Sequence, residues 1–116
     1  MPLMMQLSLW LNIGVLIPVT ATLALNRPGA SFVFGERTPA RGILLSIYFA
    51  ILVLSAVLLW TADLRACATL LLMQVVYKLS TPVTVGSLKN PVVLSNLAIS
   101  LVHIVSLWSA RALLLE

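Results

Sequence analysis

Between Gly42 and Ala62 the sequence carries no charged side chain. That run is long enough to cross the ~30 Å hydrocarbon core of a bilayer as a helix rising ~1.5 Å per residue. Two other runs share its character, Met1 to Asn26 and Pro91 to Ala110, and a shorter one lies between Ala66 and Tyr77. A chain of 116 residues with 61% hydrophobic and 9% charged side chains cannot cover such runs in water. A typical soluble domain has about 45–50% apolar and about 25% charged residues. The expected fold is therefore all-α, a single transmembrane domain of four helices, with spans near 3–25, 39–60, 62–80 and 91–111. Four such spans take most of the chain and leave only short connections.

Local signals place the ends of these helices. No Lys or Arg precedes the first run, so it reads as a span rather than a cleaved signal peptide. Pro18 inside it removes a backbone hydrogen bond and is expected to kink it. Asn26-Arg27-Pro28-Gly29 is a turn signal, and the segment from there to Arg37 reads as a loop whose Phe32 and Phe34 lie in the membrane interface. Thr38-Pro39 reads as a helix cap followed by the first helical residue, and Asn90-Pro91 repeats that start. Asp63 is the expected cap of the third span. Thr81-Pro82 is expected to end that span, with Val83 to Lys89 as a loop. The uncharged part of the third span is too short by itself, so spanning requires Arg65 and Lys78 to extend their charges outward along apolar stems.

The net charge of +4 comes from seven Lys/Arg against three Asp/Glu. These basic residues sit at the ends of apolar runs, which points to lipid headgroups and excludes a nucleic-acid surface with interleaved aromatics. Counting Arg27, Arg37, Arg41, Lys78 and Lys89 on one side against Arg65 and Arg111 on the other places the connections after the first and third spans in the cytoplasm and both termini outside. Glu36, Arg37 and Arg41 form a charged cluster before the second span, read as a topology signal, with binding of a lipid phosphate as the alternative.

Packing between membrane helices relies on small residues, because lipid is as apolar as the helix core. Gly42, Ser46 and Ala50 recur at spacing four, as do Ala98, Val102, Ser106 and Ala110. Both stripes are expected to face other helices, so Ala50→Leu is expected to loosen the bundle. Cys67, the only cysteine, reads as a small packing residue and cannot form an intrachain disulfide.

Strongly polar residues within the spans are few: Asn12, Gln74, Lys78, Asn96 and His103. Asn96, Ser100 and His103 share one face of the fourth span. Their structural reading is an interhelical hydrogen-bond strip; their functional reading is the lining of a path, with His103 as proton acceptor or ligand. Gln74, Tyr77 and Lys78 share one face of the third span and read as interface anchors, or as an intramembrane cation that binds an anionic group. No carboxylate lies in any span, which argues against the proton relays of pumps. A single histidine cannot supply two axial haem ligands or a zinc site within one chain. No catalytic residue, metal site or cofactor is indicated, and hydrolase and phosphate-loop motifs are absent.

The stretch Thr38-Pro39-Ala40-Arg41-Gly42-Ile43-Leu44, with Tyr48 one turn on, resembles small bacterial four-helix membrane proteins of the DoxX-like kind, as do the length and the hairpin layout. The resemblance implies a bacterial inner-membrane protein. Some members of that group are linked to quinone-dependent oxidation as small accessory subunits, and no functional residue is carried over. The leading expectation is a structural or accessory subunit of a larger membrane complex, in contact with the lipid bilayer and with partner chains. The alternatives are a homo-oligomeric transporter lined by Asn96, Ser100 and His103, and a quinone- or lipid-binding component anchored by Tyr77, Lys78 and His103.

Overall fold

The computed structural model describes residues 1–116 and contains helices and no strands. Six helices follow one another: α1 (Leu3–Ala24), α2 (Ala30–Phe34), α3 (Pro39–Thr61), α4 (Leu64–Val85), α5 (Pro91–Ser109) and α6 (Arg111–Leu114). Four of them, α1, α3, α4 and α5, are long and apolar enough to cross a membrane. The bundle is 45 Å in its longest dimension, which matches a hydrocarbon core of ~30 Å with its interfaces. The chain is a multi-pass membrane protein with an all-α four-helix bundle.

The helix starts follow the local chemistry read from the sequence. Thr38 accepts a hydrogen bond from the Arg41 backbone N–H at 3.3 Å, and Pro39 is the first helical residue of α3. Asp63 accepts from the Ala66 N–H at 3.0 Å, and Asn90 from the Val92 N–H at 2.8 Å. In each case a side-chain oxygen fills one of the backbone donors that a helix N-terminus leaves open. The turn between α3 and α4 is only two residues, Ala62 and Asp63, and Ala62 has φ 55° in the left-handed region.

The third span departs from expectation at its far end. Pro82 does not terminate α4, which continues a further turn to Val85 and ends at Gly86 with φ 77°. Pro82 has no N–H for the Lys78 carbonyl, but the Thr81 hydroxyl donates to that carbonyl at 2.7 Å. The freed acceptor is therefore satisfied and the helix goes on. Lys78 consequently lies two turns inside α4 rather than near its end. It does not reach outward to the membrane surface: it is only 4% exposed and points into the bundle.

Two smaller corrections follow. The segment after α1 is not all loop, since Ala30–Phe34 forms the short α2. Phe34 packs edge-on against Tyr48 of α3, with centroids 6.2 Å apart. Phe32 is exposed. The fourth span ends at Ser109 rather than running to 111, and Arg111 folds back over the Trp108 ring at 4.1 Å.

α1 packs chiefly against α3 and α5, and α4 against α5, while α3 and α4 touch little. The bundle is thus two antiparallel hairpins, α1–α3 and α4–α5, joined along α1 and α5. Met5, Leu9 and Leu16 of α1, Tyr48, Ile51 and Leu58 of α3, and Cys67, Leu70 and Leu71 of α4 form the apolar core. Cys67 is a fully buried packing residue, as read from its small neighbours.

The face of α3 that packs is not the expected one. Gly42, Ser46 and Ala50 are exposed, and the inward face is Arg41, Tyr48, Ile51, Ser55 and Leu58. Small residues at spacing four mark a face that admits close approach, but here the larger side chains of α3 fill the interior, chiefly against α1. On α5 the stripe is divided: Ser106 and Ala110 are buried and Ala98 is exposed.

Ala62→Gly is expected to stabilise the bundle, because a left-handed residue with a Cβ costs about 1 kcal/mol that glycine avoids. Thermal unfolding in a mild detergent checks this, and an unchanged or lowered midpoint would contradict it.

Candidate functional site

The polar residues of the spans gather in two groups inside the bundle. The first lies towards the end that carries the chain termini. His103 of α5 is fully buried, with Nδ1 3.0 Å from Ser8 Oγ and Nε2 3.1 Å from Asn12 Oδ1, both on α1. The Asn12 amide donates through Nδ2 to Ser55 Oγ on α3 at 3.1 Å. Ser8 Oγ lies 2.5 Å from Ser106 Oγ, which is also 2.9 Å from the Met4 and Val102 carbonyl oxygens. One continuous seam, Ser55–Asn12–His103–Ser8–Ser106–Met4, therefore ties three spanning helices together.

Antiparallel packing of α1 on α5 explains the seam. The start of one helix lies beside the end of the other, so Ser8 and Asn12, one turn apart, meet His103 and Ser106, also on one face. The oxygen of Asn12 facing Nε2 requires that nitrogen to carry the ring proton, so Nδ1 of the neutral ring accepts from the Ser8 hydroxyl and Ser8 in turn accepts from Ser106. Exchanging the amide oxygen and nitrogen of Asn12 reverses every bond: Ser55 donates to Asn12, His103 donates from Nδ1 to Ser8, Ser8 to Ser106, and Ser106 to the Met4 carbonyl. Either order leaves both ring nitrogens occupied by protein atoms.

The second group lies towards the connections between spans. Lys78 Nζ of α4 donates to Asn96 Oδ1 of α5 at 3.2 Å and stands 5.0 Å from the Tyr77 ring centroid. Ser100 bonds only its own helix, donating to the Asn96 backbone carbonyl at 2.7 Å. A cavity of about 40 Å³ adjoins this group, bounded by Lys78, Asn96, Ser95, Tyr48, Phe34 and aliphatic side chains of α1 and α5. On α4, Gln74 Nε2 and Tyr77 Oη are buried without a hydrogen-bond partner in the protein.

Beyond it the bundle is closed by the connection between α1 and α3. Arg41 is buried, not a free loop charge, and donates to Asn26 Oδ1 at 2.6 Å and to the Gly35 carbonyl at 3.2 Å. Asn90 Nδ2 donates to the Val33 carbonyl at 2.9 Å. Glu36 and Arg37 remain exposed beside it.

Asn96, Ser100 and His103 are thus all inside one chain, but they do not act as one strip. His103 belongs to the seam and Asn96 to the lysine. Gln74, Tyr77 and Lys78 point into the bundle rather than anchoring at the interface. The sequence reading names Asn12 as a polar residue without a partner and does not single out Ser8 or Ser55. The spacing of four between Ser8 and Asn12 was the one available signal. No family model matches the chain, and no curated protein or solved structure matches it.

Ser8→Ala is expected to lower unfolding stability by about 1 kcal/mol, since it removes the partner of His103 Nδ1 and of Ser106 together. Detergent titration of unfolding, followed by circular dichroism, measures it. Stability equal to that of the native chain would show that the seam contributes nothing.

Proposed function

We propose that the chain is a structural or accessory subunit of a larger complex in a bacterial inner membrane. The observation that supports this reading is the direction in which its polar side chains point. Asn12, Lys78, Asn96 and His103 turn inward and bond within the bundle, Gln74 is buried with them, and large hydrophobic side chains dominate the outward faces. A protein built this way offers neighbouring chains a shaped apolar surface rather than reactive groups.

One part of that surface is suited to another helix. The exposed small residues Gly42, Ser46 and Ala50 leave the α3 backbone open to close approach, the mode by which membrane helices associate. Beside them lies a groove of about 470 Å³ between α1 and α3, lined by Thr20, Ala21, Ala24, Leu45, Ser46 and Phe49. The likeness to DoxX-like proteins, some of them accessory subunits, agrees with this proposal. The exposed charges Arg27, Arg37 and Lys89 at one end, against Arg65 and Arg111 at the other, favour a topology with both termini outside the cytoplasm.

The alternatives have less support. A homo-oligomeric transporter would place Asn96, Ser100 and His103 at a path between copies, whereas these side chains are enclosed by their own helices. A quinone site at Tyr77, Lys78 and His103 would require room for a ring, and the cavity beside Lys78 has about 40 Å³.

Purification from native membranes in mild detergent is expected to recover partner chains in stoichiometric amount, identified by mass spectrometry. Ala50→Leu is expected to leave the thermal midpoint of the isolated bundle unchanged while reducing partner recovery several-fold. A chain that purifies alone, or only with copies of itself, overturns the proposal.

A further inference from the structure

Lys78 presents an imbalance that the protein does not correct by itself. An ammonium has three N–H donors and no acceptor. Only one of them has an acceptor here, Asn96 Oδ1 at 3.2 Å, although the residue is only 4% exposed. The nearby face of α4 adds further donors, the Gln74 amide and the Tyr77 hydroxyl, both buried without partners. Acceptors of negative charge are lacking within the bundle. The carboxylate side chains are Glu36, Asp63 and Glu116, and all three lie outside the spanning helices. A charge inside a membrane protein ordinarily has an opposite charge or a water-filled cavity beside it.

The cavity bounded by Lys78 and Asn96 fixes what can meet that charge. Its volume of about 40 Å³ exceeds the ~10–15 Å³ that one water requires, so it has room for a small monatomic ion, and it is small for a lipid headgroup or a quinone ring. Its walls are mostly apolar, which favours an ion that sheds water readily over a strongly hydrated one. Asn96 commits its oxygen to Lys78 and keeps its Nδ2 as a donor.

We infer that Lys78 and Asn96 form a binding site for a halide-sized anion. The lysine supplies the counter-charge, and the apolar walls select for size and against hydration. The inference is independent of whether the bundle works alone or within a complex, since the site lies wholly inside one chain.

The purified full-length chain in detergent provides the test, with chloride, bromide or gluconate as the only buffer anion at constant ionic strength. The thermal midpoint is expected to rise by several degrees from gluconate to chloride and to saturate with chloride concentration. Lys78→Met is expected to abolish the dependence, and Lys89→Met, which changes an exposed lysine, to retain it. Broadening of the chloride NMR line by the native protein, reversed by excess bromide, reads the site without any substitution and so holds if Lys78→Met fails to fold. A native chain with the same midpoint in gluconate and chloride and no line broadening overturns the inference. So does a Lys78→Met variant that keeps the full chloride dependence.

Discussion

Within hydrocarbon a polar group has no water to turn to, and the bundle is organised around that constraint. Apolar packing alone would not choose one arrangement of four greasy helices, since lipid contacts an aliphatic side chain about as favourably as another helix does. The seam through His103 makes the choice. Each of its bonds fixes an axial height as well as a rotation: Ser8 against Ser106, Asn12 against His103, Asn12 against Ser55. Sliding α1 by one residue along α5 would break the bonds on both ring nitrogens together. The seam also sits where the two hairpins meet, so it sets how α1–α3 docks on α4–α5. The short link at Ala62 leaves α3 and α4 barely in contact and does little of this work.

The opposite end of the bundle is held differently. Arg41 ties the first connection to α3 through Asn26 and Gly35, Asn90 ties it to α5 through Val33, and Phe34 rests on Tyr48. These bonds close the bundle over Lys78 and its small cavity. The polar interior therefore divides into a seam that is complete in itself and a lysine group with donors to spare. The first accounts for the specificity of the fold. The second is where the chain departs from a purely structural design.

How much of this the sequence revealed depended on whether the signal was local. The caps Thr38, Asp63 and Asn90 act within three residues of themselves, and each was read correctly. The four spans were legible because an uncharged run of that length has few other destinations. Pro82 misled for an equally local reason: its missing N–H signals a helix end, and only the Thr81 hydroxyl on the Lys78 carbonyl cancels that signal. The error then carried to Lys78, placed near the membrane surface when the helix in fact continues past it. Gly42, Ser46 and Ala50 show a different limit, since small residues reveal that something can approach but not what. Ser8, Asn12 and Ser55 could not be assigned partners at all. Their bonds join positions far apart in the chain, and only the order in which the hairpins dock decides which serine meets which histidine.

The most direct measurement is a double-mutant cycle between Asn12 and His103, using Asn12→Ala, His103→Ala and the pair, with unfolding followed in detergent. If the seam defines the bundle, the two losses are not additive, and a coupling of about 0.6–1.7 kcal/mol is expected, the range for hydrogen bonds between membrane helices. Strictly additive losses would mean that the two side chains do not bond, and the arrangement of the hairpins described above would be wrong.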